Sequence, residues 1–289
     1  MRKITIILVL LANAFILFYG CKKDKEADLE FDTQTSQDDA LAEATFNDIN
    51  NMASQAVEIG TLNTYKTSTP NNSFLNSCAT VVLTPDSTGP GGSIVIDFGS
   101  TPCKCGGIIC TDARYRKGKI NITYTGPYRS PGTVIQITFD NYYVGPESTN
   151  MFKVTGMKTV TNQGLNAGNH LKFSISVNGQ LTNSSGGIMS WTSQRNREWI
   201  AGDNTTLDWT DDEYVITGTA NGTNFEGNSF TVNITSGLYI ALKCANIKKG
   251  IFELTPNGKP TRTLDYGDGN CDNNATLTVN GSVFPIVLR

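Results

Sequence analysis

The stretch "TLTVNGSVFPIVL", residues 276–288, decides the fold class of this 289-residue chain. Apolar and polar residues alternate along it, and an Asn-Gly pair at 280–281 divides it into two halves. Alternation with a period of two is typical of a strand with one buried face, and Asn-Gly is preferred in two-residue hairpin turns. The stretch therefore predicts a β-hairpin in which Leu277 lies opposite Phe284 and one face is buried.

The same alternation recurs upstream, for example in "VIQITF" (134–139) and "LKFSISVNG" (171–179), and three further Asn-Gly pairs lie between strand-like runs. Only 17% of the residues are charged, while Gly, Thr, Asn and Ser are common. Such a composition favours strands joined by tight turns. We therefore predict an all-β domain over residues 75–289, built as a long antiparallel meander that is curled or folded into two layers like a β-sandwich.

One segment before this domain has a different period. "DDALAEATFNDINNMASQAVE", residues 38–58, carries Leu41, Ile49 and Met52 near helical spacing after an Asp-rich start. Acidic residues are favourable at a helix N-terminus, and apolar residues at this spacing form one face of a helix. The segment predicts one short amphipathic helix over residues 38–60.

The N-terminus has the features of an export signal. Two basic residues precede an apolar run from Ile4 to Phe18, which is shorter than the roughly 20 residues of a membrane-spanning helix. The run ends at Gly20-Cys21 and resembles the signal of bacterial lipoproteins, in which the cysteine is lipidated and becomes the mature N-terminus. The resemblance implies a signal peptide over residues 1–20 and an anchor of acyl chains such as palmitate on Cys21. The alternative is a secreted protein in which Cys21 forms a disulfide.

Residues 21–37 are predicted to form a flexible, charged tether. From Cys21 through Asp39 the chain carries three lysines and seven acidic residues, and it offers too little apolar surface to pack. The segment also resembles the charged leader that directs Bacteroidota-type lipoproteins to the outer cell surface. That resemblance implies an outer-membrane protein that faces the cell exterior.

The remaining cysteines predict a disulfide framework. Six are left once Cys21 is set aside, an even number that suits an exported chain. They are Cys78, Cys103, Cys105, Cys110, Cys244 and Cys271. We predict that the last two pair with each other and that Cys78 pairs within the 103–110 cluster. A zinc site is disfavoured, because the cluster lacks paired C-x2-C units and the single histidine is far away in sequence.

Composition and motifs exclude several functions. The net charge of −3 and the absence of a concentrated Lys/Arg patch argue against nucleic acid as a partner. His170, the only histidine, is expected in a turn or at the surface, and the sequence has neither a nucleophile elbow nor a phosphate-binding loop. We predict no catalytic residues, no cofactor and no metal centre.

One strand offers a candidate ligand site. In "SWTSQRNREWI", residues 190–200, period-two alternation places Trp191, Arg195, Arg197 and Trp199 on one face. Indole faces and stacked guanidinium groups suit flat sugar rings, so these four residues are the predicted glycan-binding site. The alternative is a ladder of side chains that stabilises the sheet.

A second loop has an ambiguous pattern. "LDYGDGNCDNNA", residues 264–275, carries Asp265, Asp268, Asn270 and Asp272 at alternating places, as a calcium-binding loop does. The glycine and the closing glutamate of such a loop are missing from their expected places. A tight turn constrained by a disulfide is the favoured interpretation, and a calcium-binding loop is the alternative.

The later chain as a whole resembles a group of uncharacterised Bacteroidota-type outer-membrane lipoproteins over roughly residues 78–289. The resemblance rests on "RYRKGKINITYTGPY", "GTVIQITFDNYYV", "SWTSQRNREWIAG" and "RTLDYGDGNCDN". It implies an envelope lipoprotein and no activity.

Three functions follow as hypotheses. The favoured one is a lipid-anchored, surface-exposed protein that binds a glycan or a partner outer-membrane protein without catalysis. The second is a periplasm-facing carrier or structural lipoprotein with an apolar groove. The third is a glycan hydrolase that uses two acidic residues about 5–10 Å apart.

Overall fold

The computed structural model describes residues 33–61, 78–104, 114–205 and 208–288. The predicted signal peptide, Cys21 and residues 22–32 of the charged tether lie outside these residues. The described chain forms one α-helix followed by fourteen β-strands. The predicted all-β fold with one helix near the N-terminus is therefore confirmed.

Helix α1 spans Gln34–Thr61, and a short 3-10 helix spans Trp209–Asp211. The strands are β1 Thr80–Pro85, β2 Gly92–Asp97, β3 Cys103–Lys104, β4 Tyr115–Tyr124, β5 Val134–Glu147, β6 Asn150–Leu165, β7 Leu171–Thr182, β8 Ile188–Ala201, β9 Glu213–Thr223, β10 Ser229–Ala241, β11 Lys249–Pro256, β12 Arg262–Asp268, β13 Asn274–Val279 and β14 Ser282–Val287.

The described strands form one antiparallel sheet. From β4 to β14 each strand pairs with the next one along the chain; β2 pairs with β1 and β4, and the short β3 pairs with β4. This order is the predicted meander, whereas the sandwich-like layering is not confirmed. Short turns suffice for such connections, because neighbouring antiparallel strands meet at the same end.

The hairpin of β13 and β14 has the predicted register. Leu277 pairs with Phe284 across the two strands. Asn280 and Gly281 between them both have positive φ angles, of 49° and 81°. Both central residues of a type I′ turn need a positive φ, which Asn and Gly adopt most readily. The local turn chemistry therefore specifies this pairing.

Helix α1 begins four residues earlier than predicted and is buried on all sides. Of its 28 residues, 21 are buried, and they include Asp39, Glu43 and Glu58 as well as the apolar ones. An amphipathic helix would expose one polar face. The polar residues of this helix therefore have partners in the sheet instead of solvent.

The sheet curls around α1. Gly60, near the end of the helix, lies against Leu83 of β1 and Ile94 of β2. The Phe46 ring, in the middle of the helix, lies directly over Gly179 of β7, where a Cβ atom would overlap it. Contacts at such distant strands place the helix inside the curve of the sheet, where the main hydrophobic core also lies.

Two disulfides have the predicted partners. Cys244 pairs with Cys271 at a Cα–Cα distance of 5.7 Å, and Cys78 pairs with Cys103 at 5.8 Å. Both distances lie in the usual range for disulfides. Cys105 and Cys110 lie outside the described residues.

Candidate functional site

The four residues of the predicted glycan platform lie inside the protein. Trp191, Arg195, Arg197 and Trp199 do share one face of β8, as alternation predicted, but that face points towards α1. Their exposed fractions are 1%, 4%, 1% and 1%. A sugar ring needs an exposed aromatic face to stack on. The prediction of a surface platform at these residues is therefore corrected.

Two of these side chains attach the first half of the helix to the sheet. The Trp191 indole Nε1 donates a hydrogen bond to Asp39 Oδ1 at 2.8 Å. The Arg195 guanidinium donates to Glu43 Oε2 from Nη2 at 2.6 Å and from Nε at 3.1 Å. Both partners of this ion pair are almost fully buried. Their role is to hold α1 in register with β8.

The other two side chains hold the second half of the helix. Arg197 Nη2 donates to Asn51 Oδ1 at 2.8 Å, and its guanidinium carbon lies 3.5 Å from the centre of the Tyr214 ring. The Trp199 indole stacks on the same Tyr214 ring, with ring centres 5.4 Å apart. Arg129 covers the indole of Trp199 at 4.4 Å. Arg197 and Trp199 are therefore enclosed by the helix and the sheet and are not open to a ligand from solvent.

Further cations of the sheet face the helix from other strands. Arg116 of β4 donates to Asp48 Oδ2 at 2.7 Å, and Lys158 of β6 donates to the backbone carbonyl of Phe46 at 2.9 Å. The helix contributes carboxylates and the sheet contributes cations. This division of charge explains how a helix rich in acidic residues is accommodated in the interior.

The enclosed charges have shifted pKa values. Burial raises the pKa of Asp39 to about 7, and the neighbouring Glu43 carboxylate adds to the rise. Burial lowers the pKa of Lys158 to about 7, and the positive charge of Arg197 lowers it further. Burial also raises the pKa of Asp212 to about 7. Asp39 and Lys158 both take part in the helix–sheet contact, so the shifts of these two groups are coupled to the packing of α1 on the sheet.

A cavity of about 890 Å³ opens beside the first half of α1. Its walls come from the helix, from the hairpin turns that follow β5, β7 and β9, and from the ends of the last strands. The apolar part of the lining includes Leu41, Val144, Phe152, Phe225 and Leu288. Its volume falls in the range of roughly 300–1,000 Å³ that small-molecule sites occupy.

The polar part of the lining is largely uncharged. It includes Asn150, Asn183, Ser184, Ser185, Asn246 and Asn273. Among the described lining residues, Arg114 and Glu226 are the only charged ones. Amides and hydroxyls of this kind donate and accept hydrogen bonds without imposing a net charge on the ligand.

Three contacts fix the wall that the β9–β10 turn contributes. Phe152 and Phe225 stack with ring centres 5.7 Å apart and planes inclined by 24°. The backbone N–H of Phe225 donates to Asp38 Oδ2 at 3.3 Å, and Asn224 Nδ2 donates to Thr35 Oγ1 at 3.0 Å. The turn is thereby tied to the start of α1, and the cavity is preformed.

A second, shallower depression of about 540 Å³ lies over the ambiguous acidic loop. Asp265 accepts a hydrogen bond from the Gly267 amide, and Asp272 accepts one from the Asn274 amide, both within their own loop. Nowhere in the described ranges do three or more His, Cys, Asp or Glu side chains gather as metal ligands. The carboxylates here stabilise a turn that Cys271 ties to Cys244.

His170 belongs to the turn before β7. It is partly buried, and its backbone N–H donates to Asn166 Oδ1 at 3.0 Å. Its place in a turn agrees with the sequence prediction. Within the part of the chain that the structure describes, His170 is absent from the lining of the large cavity.

Comparison of the chain with protein-family models, with curated proteins and with solved structures finds no match. Membership of a lipoprotein family therefore stays a prediction from the sequence, both from its N-terminal segment and from the stretches between residues 78 and 289. Of the helices in the described ranges, none combines the length and apolarity needed to cross a membrane. The case for a function rests on the residues of the chain itself.

Proposed function

We propose that this protein is a lipid-anchored outer-membrane lipoprotein whose folded domain binds a ligand, without catalysis, in the cavity beside α1. The anchor is the acylated Cys21, and residues 22–33 lead from it to the helix. The cavity is the observation that carries the binding role, since it is preformed and has the volume of a small-molecule site.

The lining of the cavity favours binding over hydrolysis. A glycosidase of the usual kind places two carboxyl groups on either side of the bond that it cleaves. The described lining of this cavity offers one carboxylate, that of Glu226. A single acid among amides and hydroxyls suits recognition of a polar ligand and lacks the second group that hydrolysis requires.

The ligand we propose is a glycan or a segment of a partner envelope protein. The predicted glycan site thus moves from the β8 face, which is buried, to the cavity, where Asn150, Asn246 and the Ser184-Ser185 pair can bind hydroxyl groups. A periplasm-facing carrier is the second candidate. The apolar walls at Leu41 and Phe152 favour that alternative.

Protease treatment of intact cells tests the anchor and its orientation. Wild-type protein and a Cys21→Ala variant are compared, with an antibody against the β domain and with labelled palmitate. We expect the label and the protease-sensitive surface protein in wild type alone. Equal palmitate labelling of both proteins would overturn the proposal that Cys21 carries the lipid anchor. Protection of the wild-type domain until the outer membrane is opened would assign it to the periplasm and favour the carrier.

A glycan panel tests the binding role of the cavity. The chain from residue 21 onward, carrying Cys21→Ala, is compared with the same chain carrying Ala245→Trp, which places an indole at an exposed position of the lining. Glycans that bind the first protein should lose affinity for the second. Glycan binding that is unchanged by the indole would place the site elsewhere.

A further inference from the structure

We infer that the cavity beside α1 takes a neutral amphiphile, a molecule with one apolar chain and an uncharged head that forms hydrogen bonds. A membrane glycolipid and an alkyl glycoside share this chemistry. The inference rests on the proposed function and names the class of ligand. It follows from three features of the cavity, namely its apolar walls, its uncharged polar groups and its place along the chain.

The apolar walls would hold the chain of the ligand. Leu41 of α1 and Phe152 of β6 are 7% and 8% exposed, so they form the deeper part of the lining. Phe225 and Leu288 are partly buried and complete this surface from two other segments. A free monosaccharide would leave much of this apolar surface in contact with water, whereas a hydrocarbon chain would cover it.

The polar groups at the edge of the cavity would hold the head. The side chains of Asn150 and Asn246 make no hydrogen bond within the described structure, and Ser184 and Ser185 are exposed. Asn183, by contrast, uses its Oδ1 to accept the backbone N–H groups of its own turn. The groups that remain open both donate and accept, which matches hydroxyl-rich heads.

The balance of charge favours a neutral head over an anionic one. Arg114 and Glu226 are the two charged residues in the described lining, and their charges are opposite. A site for a phosphate or carboxylate head usually collects several Arg or Lys side chains. Among its described residues, the lining of this cavity has one cation and one acid.

The cavity lies close in sequence to the proposed lipid anchor, and this indicates the membrane as the source of the ligand. Gln34 lines the cavity and follows the proposed lipid anchor by thirteen residues. A segment of that length spans at most about 45 Å when fully extended. An anchored protein therefore keeps the cavity within that distance of the membrane surface, where amphiphiles are concentrated.

Titration calorimetry with three soluble probes tests the inference. Dodecyl maltoside carries the chain and a neutral head, maltose carries the head alone, and dodecanoate carries a comparable chain with a charged head. The protein is the chain from residue 21 onward with Cys21→Ala, and each detergent is kept below its micelle concentration. We expect one molecule of dodecyl maltoside per chain, bound at least tenfold more tightly than either maltose or dodecanoate.

Two matched variants locate the site. Ala245→Trp fills the mouth of the cavity and should weaken the binding of dodecyl maltoside at least tenfold. Asn221→Trp adds the same ring to an exposed position of β9 outside the lining and should leave the binding unchanged. Urea midpoints verify that both variants are folded. Ser185→Trp replaces Ala245→Trp if that variant is unfolded, since Ser185 is also exposed at the cavity.

Each contrary result has its own meaning. If maltose binds as tightly as dodecyl maltoside, the ligand does not need an apolar chain, and a glycan-binding protein remains. If dodecanoate binds as tightly, the ligand does not need a neutral head. If Ala245→Trp and Asn221→Trp bind dodecyl maltoside equally well, the ligand does not bind in this cavity. Absence of binding by all three probes overturns the inference alone, because the glycan panel and the palmitate label test the proposed function separately.

Discussion

Removing the Arg195 guanidinium should destabilise the protein more than any surface substitution. In the folded state this group donates two hydrogen bonds to Glu43 Oε2, at 2.6 and 3.1 Å. The Arg195 and Glu43 side chains are 3% and 4% exposed, so solvent cannot replace either partner. Arg195→Met would leave a buried carboxylate without its cation while roughly keeping the packed volume.

The expected loss for Arg195→Met is about 3–5 kcal/mol of unfolding free energy, the usual cost of breaking a buried ion pair from one side. A second effect has the same sign. The charge of Arg195 lowers the pKa of Asp39, which burial has already raised. Without Arg195, the cost of ionising Asp39 near neutral pH would increase. The double variant Arg195→Met/Glu43→Leu should recover much of the loss, because it leaves no unpaired charge at this contact.

Urea unfolding followed by tryptophan fluorescence measures these free energies. The control is Lys119→Met, which breaks the exposed pair between Lys119 and Asp97 at 3.2 Å. It should cost less than about 1 kcal/mol, as exposed pairs do. A loss for Arg195→Met no larger than that of the control, or a double variant as unstable as the sum of the single ones, would refute the role of this pair in holding α1.

Three further outcomes are expected. The pKa of Asp39 is about 7 in the folded state against 3.8 in the unfolded state, so the unfolding free energy should fall as pH rises from about 4 to about 7. Asp39→Asn should reduce this fall by up to about 4 kcal/mol over the whole interval, as measured by urea unfolding at several pH values. An unchanged pH dependence in the variant would contradict the assignment. Gly179→Ala should lower the thermal midpoint of unfolding, because the new Cβ overlaps the Phe46 ring and overpacking costs about 1–3 kcal/mol. The control Gly89→Ala lies in an open loop and should leave the midpoint unchanged. Equal midpoints for the two variants would refute the contact between Gly179 and Phe46. Cys244→Ser should cost about 2–4 kcal/mol in urea unfolding under non-reducing conditions, and a loss below 1 kcal/mol would show that this disulfide is dispensable.

Local patterns predicted the parts of the fold that local forces decide. The β13–β14 hairpin has the register that its Asn280-Gly281 turn requires, because turn type and side-chain alternation act over a few residues. The helix was also found, since helical spacing is local. Its burial on all sides was missed, because Glu43 and its partner Arg195 are separated by 152 residues in sequence.

The candidate site shows the same limit. Alternation placed Trp191 and Arg195 on one face of β8 correctly, but it cannot tell which face of a strand points inward when both carry polar residues. The opposite face carries polar residues such as Thr192 and Gln194, so the two tryptophans favoured burial of their own face, whereas the two arginines on it favoured exposure. The cavity was missed altogether. Its lining comes from segments scattered between residues 34 and 288, and no short stretch carries a signal for it.

Hydrogen–deuterium exchange with and without dodecyl maltoside tests the central claim most directly, that the cavity beside α1 is the binding site. With the detergent below its micelle concentration, we predict slower amide exchange in the turns at 146–150, 183–187 and 224–228, and unchanged exchange in the loop at 269–273 apart from Asn273, which lines the cavity. Slower exchange confined to other surfaces, or no change in any of the three turns, would contradict the claim.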